Sequence, residues 1–98
     1  MELNIGGRRT FAATGGKAFD AGLPAIIFVH GAGADHTVWK LQTRYFAWHG
    51  HGVLAIDMPG HGRTDGPPIP TIEGLADWLI AVLDAADLEQ AALVGHSV

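Results

Sequence analysis

Residues 25–33 read Ala25-Ile26-Ile27-Phe28-Val29-His30-Gly31-Ala32-Gly33, an unbroken apolar run that empties into a loop of small residues. A short run rich in β-branched residues, with no polar alternation, is the pattern of a strand covered on both faces. The segments on either side extend that pattern. After the loop 31–36, Val38, Leu41, Tyr45 and Trp48 recur at helical spacing, and Gly50 is placed to end the helix. Residues 53–57, VLAID, give the next strand, and the stretch from Met58 to Pro70, dense in Gly and Pro, must be an irregular loop. Thr71 is an N-cap for a helix whose Ile72, Leu75, Leu79, Val82 and Leu83 share one face, and residues 91–94, AALV, give a last buried strand ending at Gly95. Toward the N-terminus, residues 2–5 and 8–13 form two strands joined by Gly6-Gly7, a pair suited to the positive φ angles of a tight hairpin.

The order is hairpin, strand, helix, strand, helix, strand. That order predicts an α/β fold: an N-terminal antiparallel hairpin, then parallel strands with right-handed crossover helices. With 98 residues the chain has room for one core, so residues 1–98 are taken as part of a single domain. In open sheets of this kind the site lies at the carboxyl ends of the strands. The loops after Val29, Asp57 and Val94 should therefore meet at one rim.

Composition narrows the function classes. The sequence is 48% hydrophobic and 16% charged with a formal net charge of -4, and its Lys and Arg residues are scattered. Neither a nucleic-acid footprint nor a basic membrane-binding face is present in that pattern. The absence of Cys rules out disulfides and thiolate metal sites. MELNIGG has no basic n-region, and no stretch approaches the roughly 20 apolar residues of a spanning helix, so the expectation is a cytoplasmic protein. His49-Gly50-His51 reads as a solvated helix end rather than a metal pair, since further ligands do not converge in sequence, and no metal or cofactor is expected. Trp39, Trp48 and Trp78 are assigned to packing. The acidic residues between 73 and 89 are assigned to the wet side of the second helix and the loop after it.

Gly95-His96-Ser97-Val98 matches the first four positions of G-x-S-x-G, in which a serine sits on a sharp strand-to-helix turn. Taken alone, the four letters equally describe a glycine-containing turn with a serine N-cap. A serine nucleophile needs presentation above the sheet edge and a general base, and the turn supplies the first while Gly95 relieves the crowding. Acyl transfer also needs donors for the tetrahedral oxyanion. One would be the N–H of Val98, the residue after the serine, and the other an N–H of the loop after the first buried strand, Ala32 or alternatively Gly33.

Three segments in order, VHGAG, DMPGHGRTD and VGHSV, make the chain resemble the α/β-hydrolase family, in which they correspond to the oxyanion loop, the D-x-P-G-x-G-x-S/T segment and the nucleophile elbow. Thr64 stands where many members have serine. The resemblance implies Ser97 as nucleophile, with His30, Gly31, Gly33, Gly95 and His96 shaping the two loops around it. It also implies attack on a carbonyl, because members that open epoxides or cleave carbon–halogen bonds carry aspartate at the elbow. The substrate expected is a small-molecule carboxylic ester, or a related acyl or lactone compound. In the family the acid and the histidine follow the nucleophile, whereas all six histidines here precede it. The remaining C-terminal segment of the hydrolase is therefore expected to supply them, and residues 1–98 alone are expected to be inactive and not a stable monomer. Asp57 is assigned to ordering its loop.

Two other readings compete. GAGADH follows a strand and precedes a helix, with Asp57 placed like the ribose-binding acid of a dinucleotide site, but His36 stands where that fingerprint wants a small residue. The third reading is a hydrolase-like scaffold that binds without catalysing.

Overall fold

The computed structural model describes residues 1–96, and Ser97 and Val98 lie outside the described residues. Strands β1 (Glu2–Ile5) and β2 (Arg8–Ala13) pair as the antiparallel hairpin the sequence predicts, Glu2 opposite Phe11 and Ile5 opposite Arg8. Gly6 and Gly7 turn it at φ +60° and +82°, the two positive values a type I′ turn requires. Then follow β3 (Ala25–Val29), a 3-10 segment (His36–Trp39) continuing into α1 (Lys40–Ala47), β4 (Gly52–Ile56), α2 (Ile72–Ala85) and β5 (Ala92–Gly95). The five strands form one sheet in the order β1-β2-β4-β3-β5. β2 joins β4 antiparallel, and β3 is parallel to both β4 and β5.

The unbroken apolar runs now have a physical reason. Alternate residues of a strand face opposite sides, and both sides of the sheet carry a core. Ile27, Val29, Leu54 and Ile56 join Leu3, Ile5, Met58 and the α2 residue Val82 on one face. Ile26, Phe28, Val53 and Ala55 meet Ala47 of α1 on the other, with Trp39 and Phe46 packed at its margin. Burying side chains of this size contributes about 1.5–3 kcal/mol each, so neither parity of the central strands tolerates a polar residue. α2 begins where expected, the Thr71 hydroxyl accepting the Gly74 N–H at 3.0 Å. Its Leu75, Leu79 and Leu83 are partly buried beside Val82, while Ile72 in the first turn is exposed. Trp78 packs on the same core, as assigned.

Two expectations are corrected. Trp48, assigned to packing, is exposed, as are Val38, Leu41 and Tyr45, whose spacing marked the first helix, Leu41 at 77%. The segment starts as a 3-10 turn, which shifts the phase, and α1 presses its narrow side, Thr43 and Ala47, toward the sheet. The backbone at Gly15 approaches so closely there that an added Cβ would lie 2.7 Å from the Ala47 Cβ. Trp48 accordingly lies on the surface, its indole N–H donating to the Gly15 carbonyl and Lys17 stacked over its ring. The second correction is β5, expected to be buried but exposed at all four positions. Its paired neighbour among the described residues is β3 alone, while α1 packs on β4 and α2 on β1. β4 also starts one residue earlier than predicted, which leaves Asp57 just past its end. Among the described residues, no helix is long and apolar enough to cross a membrane.

Candidate active site

Parallel pairing of β3 with both neighbours brings their carboxyl ends to one rim, Val29 standing beside Ile56 on one side and Gly95 on the other. The loops that begin at His30, Asp57 and His96 therefore start together.

Asp57 organises the middle of this rim. Its side chain is fully buried. One carboxylate oxygen accepts the His36 N–H at 2.7 Å, the other accepts the Arg63 N–H at 2.9 Å, and the His36 Nδ1 lies 3.0 Å from both. A buried charge is tolerable only when donors surround it, and here they do. Gly62 adopts φ +52°, and a Cβ at that position would collide with the Asp57 carboxylate, so the glycine five residues after the aspartate is a packing requirement. Phe11 closes the cluster, its ring 4.8 Å from that of His36 and 4.9 Å from the Arg63 guanidinium. Thr64 is buried, and its hydroxyl accepts the Phe11 N–H at 2.9 Å, so threonine serves β2 from this loop.

Two imidazoles fix the loop after β3. His30 is fully buried, and the Met58 N–H donates to its Nε2 at 3.0 Å. A nitrogen that accepts carries no proton, so Nδ1 holds it and donates to the Gly31 carbonyl at 2.7 Å. His61 repeats the arrangement: the Gly33 N–H donates to Nε2 at 3.1 Å, and Nδ1 donates to the Pro59 carbonyl at 3.1 Å. The two rings are 5.0 Å apart. Within the loop, the Ala34 N–H donates to the Gly31 carbonyl at 3.1 Å. The N–H groups of Gly33 and Ala34 are thus committed, and among the described residues that of Ala32 has no acceptor. Ala32 lies between two hollows. One of about 440 Å³ is lined by Val38, Trp39, Gln42 and His96, and one of about 170 Å³ by Met58, Pro59, Pro68, Ile69 and Leu75.

Gly95 ends β5 opposite Val29, the His96 N–H donates to the Val29 carbonyl at 3.2 Å, and the His96 ring meets Trp39 edge-on at 6.2 Å. The roles expected of Ser97 and Val98 fall outside the described residues.

The sequence pattern of the Alpha/beta hydrolase family matches residues 26–98. The chain belongs to this family. It is 34% identical over 76 residues to Epoxide hydrolase 2 of Siraitia grosvenorii, covering 74% of this chain and 24% of that protein. It is similar in structure to Epoxide Hydrolase A from Mycobacterium thermoresistibile, with a TM-score of 0.85 and 26% identity over 99% of this chain and 30% of that one. It is also similar to Est816, described as an N-acyl homoserine lactone degrading enzyme, with a TM-score of 0.80 and 32% identity over 99% of this chain and 36% of that one. The chain thus spans about a quarter to a third of these hydrolases.

Within this hydrolase frame, the residues that sequence reading undervalued are His36 and His61. His36 entered only as a misfit to a dinucleotide fingerprint, yet it is the main partner of Asp57. That same bond weakens the dinucleotide reading, because both Asp57 oxygens are engaged inside the protein and are not presented to a ribose. The glycine after His61, packed on Asp57, was the available signal. His49 stacks on Tyr45 at 4.1 Å and His51 meets Phe46 edge-on at 5.4 Å. Among the described residues, no three His, Cys, Asp or Glu side chains gather as a metal site.

Proposed function

We propose that the protein carrying this chain is a serine hydrolase that cleaves a carboxylic ester, or a related lactone, through an acyl-enzyme on Ser97. The observation that carries the reading is the Ala32 N–H, without an acceptor among the described residues, on the rim to which β5 delivers Gly95-His96, directly before Ser97. Ser97 Oγ attacks the carbonyl carbon, and the oxyanion that forms is held between the N–H groups of Ala32 and Val98. A general base takes the serine proton and returns it to the leaving alcohol. The family resemblance implies a base and acid after the nucleophile, so His30 and His61, which have committed both ring nitrogens, are not assigned to it.

Two of the similar proteins are named as epoxide hydrolases and one as a lactone-degrading enzyme. The residue at the elbow supports the second chemistry. The family resemblance implies an elbow aspartate in members that open epoxides, and this chain has serine. The test uses the full-length protein: a fluorophosphonate should leave its adduct on Ser97, Ser97→Ala should abolish ester turnover, and a simple epoxide should not be hydrolysed. Absence of both label and ester turnover would favour the non-catalytic scaffold instead. Ala32→Pro, which removes the N–H, should lower kcat by about 10²–10³-fold with a smaller change in KM. Loss of binding with kcat intact would assign this loop to substrate grip.

A further inference from the structure

We infer that His61 is a positioning residue for the oxyanion-side loop, holding the Ala32–Gly33 peptide through Nε2 and doing so only while its imidazole is neutral. The inference rests on the reading of Ala32 as an oxyanion donor. The Ala34 N–H to Gly31 carbonyl bond closes a four-residue turn with Ala32 and Gly33 at its centre. Gly33 has φ +81°, the positive value that a type II turn places at its third residue. Types I and II differ by a flip of the central peptide, and the N–H of that peptide in this turn belongs to Gly33. Nothing within the turn itself holds it. The His61 Nε2 does, at 3.1 Å, from 28 residues away.

The orientation of His61 is itself determined. Its Nδ1 donates to the Pro59 carbonyl, which leaves Nε2 as the acceptor. The titratable neighbour facing it is His30, whose nitrogens are both engaged. The residues that line the smaller hollow with His61, among them Ala32, Met58, Pro59, Pro68 and Ile69, carry no charge. When the ring takes up a proton, Nε2 becomes a donor pointed at the Gly33 N–H. Two donors cannot bond, so the central peptide is released and the turn that carries the Ala32 N–H is no longer held in its type II form. Acid would thus loosen the oxyanion side without touching the nucleophile.

The test compares His61→Ala, which has no acceptor, with His61→Gln, whose carbonyl can accept the Gly33 N–H but does not titrate. In the full-length protein, His61→Ala should lower ester kcat about 10-fold, less than outright deletion of a donor, while KM changes little. His61→Gln should recover most of that loss. In the wild type, the Gly33 amide resonance should move with the His61 ring as pH falls, and in His61→Gln it should stay still. Unchanged kcat in His61→Ala, equal losses in both variants, or a Gly33 amide that ignores the His61 titration would each overturn the inference. The amide measurement needs no activity. A protein that fails to label on Ser97 but shows the coupled titration would defeat the proposed chemistry and leave the His61 contact standing.

Discussion

β4 and β5 flank β3 on either side, both paired with it in parallel and both composed of apolar residues and glycine, yet β4 is buried at every position and β5 exposed at every one. β4 has a strand on each edge and a core on each face, whereas β5 has β3 on one edge and no helix across it among the described residues. Hydrophobicity made both segments strands. Neighbours decided which one became core. The same asymmetry continues at the rim, where the loop after β4 is bound into the Asp57 cluster while Gly95-His96 is held by its pairing with Val29 and by the edge of Trp39. The loop after β3 is assembled by contacts among residues 11–64, and Gly95-His96 leans on it.

The largest effect should come from the residue that makes the β4 side rigid. Asp57→Ala removes a fully buried carboxylate and leaves the N–H groups of His36 and Arg63 without their acceptor, and breaking such a charge-centred cluster costs about 3–5 kcal/mol. Gly62→Ala attacks the same carboxylate from outside through an unfavourable φ and should cost about 1–3 kcal/mol. Denaturant unfolding of the two variants reads both numbers. A loss below about 1 kcal/mol for Asp57→Ala would mean that water replaces the carboxylate without strain, and the contrast between the two loops would collapse.

Next in size is the contrast between the strands themselves. Leu54 is fully buried and Leu93 is 57% exposed. Leu54→Ala should cost about 2–5 kcal/mol, and Leu93→Ala about 0.5 kcal/mol or less, the ordinary range for an exposed position. Measured in the full-length protein, a large loss at Leu93 would show that β5 is covered there, and would turn the exposure seen over residues 1–96 into the footprint of whatever covers it.

What the sequence made legible was local. The Gly6-Gly7 hairpin, the Thr71 cap and the two-faced burial of β3 each follow from a few adjacent residues, and each stands where predicted. The buried side of α1 was not legible, because a 3-10 start changes the angular step and because the helix buries Thr43 and Ala47, which carry little hydrophobic signal. The rim loops were legible as motifs and illegible as contacts. His36 meets Asp57 across 21 positions and Gly33 meets His61 across 28, and no local periodicity encodes either.

The smallest effect sharpens the comparison within one loop. Asp35 stands next to His36, so two aspartates hold adjacent residues of the same turn, Asp57 from the buried side and Asp35 from the solvent side. Asp35 caps the 3-10 segment, its Oδ1 accepting the Thr37 N–H at 2.9 Å and the Thr37 hydroxyl at 2.6 Å. The hydroxyl bond first, and the backbone bond second, hold its carboxyl below the usual carboxylate range. A carboxyl depressed in the folded state contributes stability above its unfolded value of about 3.9 and loses it as pH falls through the folded value. Asp35→Ala should therefore cost up to about 1 kcal/mol near neutral pH, as loss of a cap does. That gap from the wild type should close as pH falls below about 4, the range where the charged form is lost. Paired denaturation curves at the two pH values decide it. A gap that persists undiminished in acid would show that Asp35 acts through its shape alone, and would leave Asp57 as the turn's one charge-dependent anchor.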